Sequence, residues 1–459
     1  MRKSHLFLLT LPAFVASCNL EPGLDRVASP VSETFPGNTG GGVSADIAWQ
    51  KFIADPRLER LVKVALDNNR DLRVAALNVE QNRAQYGITR SALFPTVNVG
   101  AGSSHSGIGR ANSSTGSRME TRSYDVSVGV TGYELDIFGR VRSLSNAALQ
   151  TYFASDAARV GVQISLVSEV ASVYFNQRAA IEQIELAQST LKAVDETYGL
   201  TQKRFDAGDV SELDLRSVDI QVQTAKAQLA AYKQRLAETQ NSLTVLLGTG
   251  IPGGLPDGRG LEDALVSEVR AGVSSDLLRR RPDILEAEHQ LAAANANIGA
   301  ARAAFFPRIT LTGSAGTASR SLGDLFQSGS GAWAFAPQIS VPIFDGGFNK
   351  ANLDAAQIRK QIQVATYEKV IQTAFREVAD GLAARTGLAG QIEAYQGLVA
   401  AQQKRFDLAD ARYRQGVDSY FEVLTAQQDL FDARQSLIQL RLARAVNSVG
   451  LYKALGGGW

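Results

Sequence analysis

The stretch RVRSLSNAALQTYFASDAARVGVQISLVSEVASVYFNQRAAIEQIELAQSTLKAVDETYGLTQKRFDAG, residues 140–208, contains no proline and is dominated by alanine, glutamine, leucine and valine. From Arg140 to Arg204 it can form one continuous helix, roughly 95 Å long at 1.5 Å per residue. No compact domain needs a helix of that length; coiled coils, tubes and spacers do. A partner helix of comparable length must lie beside it, and the sequence supplies one. The run from Gln188 through Lys203-Arg204-Phe205 and Gly208 to Leu247-Gly248 is echoed by Gln402 through Arg412-Tyr413 and Gly416 to Leu455-Gly456.

Upstream, Leu58, Leu61, Val62, Ala65, Leu72, Ala76 and Val79 recur at helical spacing, predicting a helix over residues 57–93 that opens after Pro56. It stops at Phe94-Pro95, because a residue before proline is driven out of the helical region. There the period changes from 3.6 to 2. Val97, Val99 and Ala101 alternate with small or polar residues, and after a Ser/Gly/Asn loop so do Tyr124, Val126, Val128 and Val130. This strand pair leads through Phe138-Gly139 into the long helix. The plan then restarts: a helix from Ser274 to Ala304, Phe306-Pro307, alternation at Ile309, Leu311 and Gly313, a Ser/Gly loop, alternation at Trp333, Phe335, Ile339 and Val341, then Phe344 and a second long helix to Tyr413. Pro337 cannot donate to a ladder, so full pairing is expected to end there. The chain is therefore two copies of one unit.

At the N-terminus, Arg2 and Lys3 precede a short apolar core, Leu6 to Val15, ending in Val15-Ala16-Ser17-Cys18: a secretory signal with a lipobox. Cys18, the sole cysteine, reads as the lipidated first residue of the mature chain, its acyl chains (palmitate among them) each adding about 0.8 kcal/mol of membrane affinity per buried methylene. Asn19 in place of aspartate favours the outer membrane. The expected organisation is a signal peptide at 1–17, a lipidated extended segment at 18–55, a first repeat at 56–248 with strands at about 95–136 and a tip at 204–210, a connector at 249–273, and a second repeat at 274–459 with strands at about 307–343 and a tip at 412–418.

A net charge of +1 gives nucleic acid no purchase. Three histidines and one cysteine are too few for a zinc site, the lipid on Cys18 is the one cofactor-like group expected, and no nucleotide-, zinc- or serine-hydrolase motif occurs, so no catalytic residue is assigned. Each unit supplies two strands of roughly the ten residues that a tilted strand needs to cross a bilayer. Four strands cannot close, since the smallest membrane barrels have about eight, and a sheet in lipid must close. The chain must oligomerise: a dimer would give eight strands and a trimer twelve.

With the lipobox, Trp49-x-x-Phe52-x-Asp55, the two Phe-Pro junctions, Leu278-Arg279-Arg280-Arg281-Pro282-Asp283-Ile284, Pro342-Ile-Phe-Asp-Gly-Gly347 and the two glycine tips, the chain resembles TolC/OprM-type outer-membrane channels of the lipidated, NodT-like branch. The resemblance implies a mixed α/β membrane protein: a homotrimer with a 12-stranded β-barrel continuous with a periplasmic α-helical barrel. It implies a periplasmic adaptor and an inner-membrane pump, of the proton-driven type, as partners in efflux of drugs or toxic solutes and in antibiotic resistance. Type I protein secretion is the alternative, since it uses the same kind of tube. In the family the tips, here Arg204, Gly208, Tyr413 and Gly416, meet the adaptor. An aspartate–tyrosine latch falls on Asp214 and Tyr413, with Asp418 where some members place an arginine. Phe421, Glu422 and Thr425 match constriction positions. Ser211-x-x-Asp214 and Ser419-x-x-Glu422 also fit helix capping boxes, so Asp214 and Glu422 read either as gate residues or as caps.

Overall fold

The computed structural model describes residues 19–24, 27–28, 30–32, 35, 48–114, 116–263, 266 and 280–458. Cys18 and the signal lie outside the described residues. In chain order the elements are α1 (Trp49–Phe52), α2 (Pro56–Asn68), α3 (Arg70–Ser91), β1 (Val97–Ile108), β2 (Met119–Leu135), α4 (Arg140–Asp206), α5 (Glu212–Leu247), α6 (Pro282–Ala303), β3 (Arg308–Ser319), β4 (Gly331–Ser340), α7 (Phe348–Arg414) and α8 (Tyr420–Ala454). Both α4 and α7 run for 67 residues. Among the described residues no helix is long and apolar enough to cross a membrane.

One expected helix is corrected, and the expected start of another, Ser274, lies outside the described residues. The helix expected over 57–93 is broken at Asn69, whose backbone is extended. Its side chain closes both ends of the break: Oδ1 accepts from Leu72 N at 2.9 Å, and Nδ2 donates to Leu246 O, also at 2.9 Å. The helix expected from Ser274 begins, among the described residues, at Pro282, where a fixed φ and a missing donor suit the first helical position.

The contacts fall into two compact units. One comprises 79–154 and 287–367 with the described residues up to 27, and holds the sheet. Its four strands pair antiparallel in the order β1-β2-β3-β4, so β1 and β4 are edges. Pairing does not end at Pro337. It continues to Arg308–Ser340, because an edge strand pairs on one side only and tolerates a missing donor. The register places Val97, Val99, Val128, Val130, Trp333 and Phe335 on one face, and Asn98, Gly100, Ser127, Gly129 and Ser314 on the other. The apolar face is open: Val99 is 79% exposed and Trp333 80%. A bulge between Val130 and Tyr133 bends β2, with Gly132 at φ +68° and its N–H donating to Thr312 Oγ1 at 3.1 Å. Below the sheet, Phe138 stacks on Phe306 at 4.7 Å, and Glu134 takes ion pairs from Arg140 and Arg308, each at 2.7 Å. Asn146 Nδ2 donates to the Glu21 carboxylate and Asn295 Nδ2 to Pro22 O, which straps the start of the described chain onto α4 and α6.

The other unit comprises 28–78, 155–286 and 368–459 as far as described. Its hub is Asp55, which is fully buried. One carboxylate oxygen caps α2, accepting from Arg57 N and Leu58 N at 2.7 and 3.1 Å. The other accepts from Tyr174 OH at 2.8 Å and Arg259 N at 2.9 Å, tying α4 and the connector to the same atom. Burial, then the Asp55 charge, push the Tyr174 hydroxyl up, so it stays a donor. Phe52 stacks on Tyr452 at 4.2 Å. Arg281 is buried against Asp283, Glu377 and the Ala454 carbonyl at 2.7, 2.9 and 2.6 Å.

Asp55→Ala is expected to lower stability by about 2–4 kcal/mol, since it removes a cap and orphans a buried hydroxyl. Unfolding of the detergent-solubilised protein would test this; an unchanged midpoint would deny Asp55 the role of hub.

Candidate functional site at the two hairpin tips

Both tips lie in the second unit and share one backbone solution. At the first, Gly208 N donates to Phe205 O at 2.9 Å and Asp209 N to Arg204 O at 2.8 Å. At the second, Gly416 N donates to Tyr413 O at 2.9 Å and Val417 N to Arg412 O at 3.0 Å. This is the Schellman ending, which satisfies the last carbonyls of a helix and requires positive φ at one residue; Gly208 has φ +85° and Gly416 +73°.

The two turns differ on their C-terminal sides. Ser211 caps α5: Asp214 N donates to Ser211 Oγ at 3.2 Å, and the Asp214 carboxylate accepts from Ser211 N at 3.1 Å and Ser211 Oγ at 2.7 Å. At the start of α8, Ser419 makes no side-chain cap bond, and the capping box expected of Glu422 is absent. The second tip is instead clasped by a bidentate pair, Arg412 to Asp418, with Nη2–Oδ1 at 2.9 Å. Arg412 holds the Asp418 carboxyl below its ordinary range. Asp418 is thus engaged within its own turn. Opposite charges flanking a tip glycine six residues apart are the sequence signal for this clasp.

Behind the turns Val218, Tyr413, Tyr420 and Val423 form a buried cluster, with Tyr198, Phe406, Ala409 and Leu424 packed around it. Tyr413 meets Tyr420 edge-on at 5.4 Å, and the Arg204 guanidinium lies 5.3 Å from the Tyr413 ring centre. So Arg204 and Tyr413, both expected tip residues, touch, and α5 joins them through Val218. Asp214 and Tyr413 are not joined by a hydrogen bond. Both tyrosine hydroxyls are buried without a hydrogen-bond partner among the described residues. Burial, then Tyr413 and Asp410, push the Tyr420 hydroxyl up. Phe421 is 67% exposed, Glu422 is exposed, and Thr425 Oγ1 donates to Phe421 O at 2.9 Å. These three line the first turns of α8 away from the buried tyrosines.

Compared with known proteins, residues 61–249 and 273–457 match the family model described as outer membrane efflux protein. The antibiotic efflux pump outer membrane protein ArpC of Pseudomonas putida is 47% identical over 466 residues, covering 100% of this chain and 96% of that protein. A membrane protein of Pseudomonas aeruginosa superposes with a TM-score of 0.91 at 40% identity, over 96% of this chain and 98% of that one. The open state of the Neisseria gonorrhoeae MtrE outer membrane channel superposes at 0.89 with 42% identity, over 96% and 98%.

Gly416→Ala forces a side chain into the left-handed region and is expected to cost about 1–2 kcal/mol. Gly199→Ala, inside α4 with open space around it, should instead stabilise by up to about 1 kcal/mol. Hydrogen exchange at the second turn would distinguish them; slower exchange in the Gly416 variant would overturn the assignment.

Proposed function

Because the chain belongs to the outer membrane efflux protein family, we propose that three copies close one barrel and form the exit channel of their efflux system. The chain is an outer-membrane channel component of tripartite efflux. The observation that carries the trimer is the sheet: one face apolar and open, two edges unpaired within the chain. Three copies give twelve strands, with the apolar face toward lipid and the Ser/Gly/Asn face toward a water-filled lumen. The channel does no chemistry of its own. A periplasmic adaptor meets the tips, an inner-membrane pump drives transport, and Cys18 carries the lipid. The cargo is drugs or toxic solutes; the Pseudomonas putida relative is named for antibiotic efflux.

The internal repeat supplies the register between copies. Phe344 follows β4 as Phe138, 206 residues earlier, follows β2, and Phe94 precedes β1 as Phe306, 212 residues later, precedes β3. Within the chain Phe138 stacks on Phe306. Phe344 and Phe94 are 93% and 61% exposed. Joined as β2 joins β3, β4 of one copy would set Phe344 on Phe94 of the next. The pairs Tyr133–Leu311 and Leu135–Ile309 then become Ile339–Val99 and Val341–Val97 between copies.

In the closed state the aperture is held by the tip cluster, with Phe421, Glu422 and Thr425 at the constriction. The Tyr413 ring holds, packed by Tyr420 and Arg204. Its hydroxyl does not, having no partner among the described residues.

Two measurements test this. Val97→Cys with Val341→Cys should give oxidant-dependent species up to the trimer, and the native mass in detergent should be that of three copies; a monomer or dimer, or no cross-link, counts against the barrel. For the aperture, Tyr413→Ala should raise single-channel conductance severalfold while Tyr413→Phe stays near wild type. Equal effects of the two would return the role to an Asp214–Tyr413 hydrogen bond.

A further inference from the structure

Within the second unit, a cavity of about 400 Å³ lies between the middle of α4 and the ends of α5, α6 and α8 and the start of α3. That is the size range of sites for small organic molecules. Ile164, Leu166 and Leu246 give it an apolar wall. Asp71, Glu169 and Glu286 bring carboxylates to it, against a single free cation among the described lining residues, Lys453. Arg281 also lines it, but its guanidinium is already taken by Asp283, Glu377 and the Ala454 carbonyl. Asp71, Glu169 and Glu286 make no ion pair or side-chain hydrogen bond among the described residues. Burial, then the neighbouring Asp283, push the half-buried Glu286 carboxyl up, as befits a carboxylate short of a cation.

The glycine in the cavity wall points the same way. Gly161 sits in mid-helix, where glycine costs about 1 kcal/mol relative to alanine. Packing does not demand it: a Cβ there would meet only Pro282 Cβ, at 3.7 Å, an ordinary contact. What a longer side chain would take is the cavity's own space. The Arg281-Pro282-Asp283 run, which neither the sheet nor the tips use, forms the facing wall.

We propose that this cavity is a binding site for a small organic cation with an apolar body, its ammonium set against Glu286 and its body against Ile164 and Leu166. A net negative pocket favours a cation over an anion of the same shape.

Benzyltrimethylammonium, titrated calorimetrically into the detergent-solubilised full chain, should bind saturably at one site per copy. Benzenesulfonate, with the same ring and the opposite charge, should not bind. Glu286→Gln should weaken the cation about tenfold, and Gly161→Leu, which fills the space, should abolish binding, with both thermal midpoints near that of wild type. Should Gly161→Leu fail to fold, the Glu286→Gln titration and the sulfonate control decide alone. Equal binding of the two probes, or wild-type affinity in Glu286→Gln, would overturn the site. So would a wild type that takes no probe, because the space then belongs to another copy or to another part of this chain.

Discussion

An unpaired strand edge cannot face hydrocarbon, and this constraint governs the rest of the molecule. The sheet has its apolar residues on one face and two free edges, β1 and β4. In water that face would aggregate; in lipid those edges would leave a row of peptide groups without partners, at several kcal/mol each. The barrel proposed above meets both at once, by edge-to-edge closure between copies. The local devices on the sheet serve it. The bulge at Gly132 bends β2, as a curved wall requires, and the Glu134–Arg140–Arg308 cluster with the Phe138–Phe306 stack fixes where strand gives way to helix.

Much of this is legible in the sequence, because it rests on period and punctuation. Alternation at Val97 to Ala101 and at Trp333 to Val341 is a local pattern, as are the Phe-Pro junctions and the tip glycines. What escapes is set by partners far along the chain. Asn69 breaks a helix that the periodicity carries through, because its amide has a carbonyl at Leu246, 177 residues away. Pro337 looks like a stop until the strand order puts it on an edge. The Asp55 hub is equally hidden: a proline-led helix start announces the cap, but nothing local announces Tyr174 and Arg259 on the second oxygen.

At the tips the limit is of another kind. Ser-x-x-acid occurs after both glycines, and the same four-residue pattern gives a full capping box at Ser211 and none at Ser419. The difference lies in the neighbouring charge. Asp418 is drawn to Arg412 across the turn, and Tyr420 is drawn into the aromatic cluster, so the start of α8 is set by packing and by an exposed ion pair rather than by its own cap.

That asymmetry bears on how a closed tip could open. The first hairpin holds α5 by short-range bonds that move with the turn, so it behaves as one rigid piece. The second holds α8 by an exposed ion pair, worth little in water, and by two tyrosines whose hydroxyls find no partner among the described residues. A buried hydroxyl without a partner regains hydration on exposure, which offsets part of the apolar burial lost with it. Opening is therefore cheaper at the second hairpin. It is also the hairpin that carries Phe421, Glu422 and Thr425, so the residues proposed to narrow the passage sit on the helix start that is least tied down.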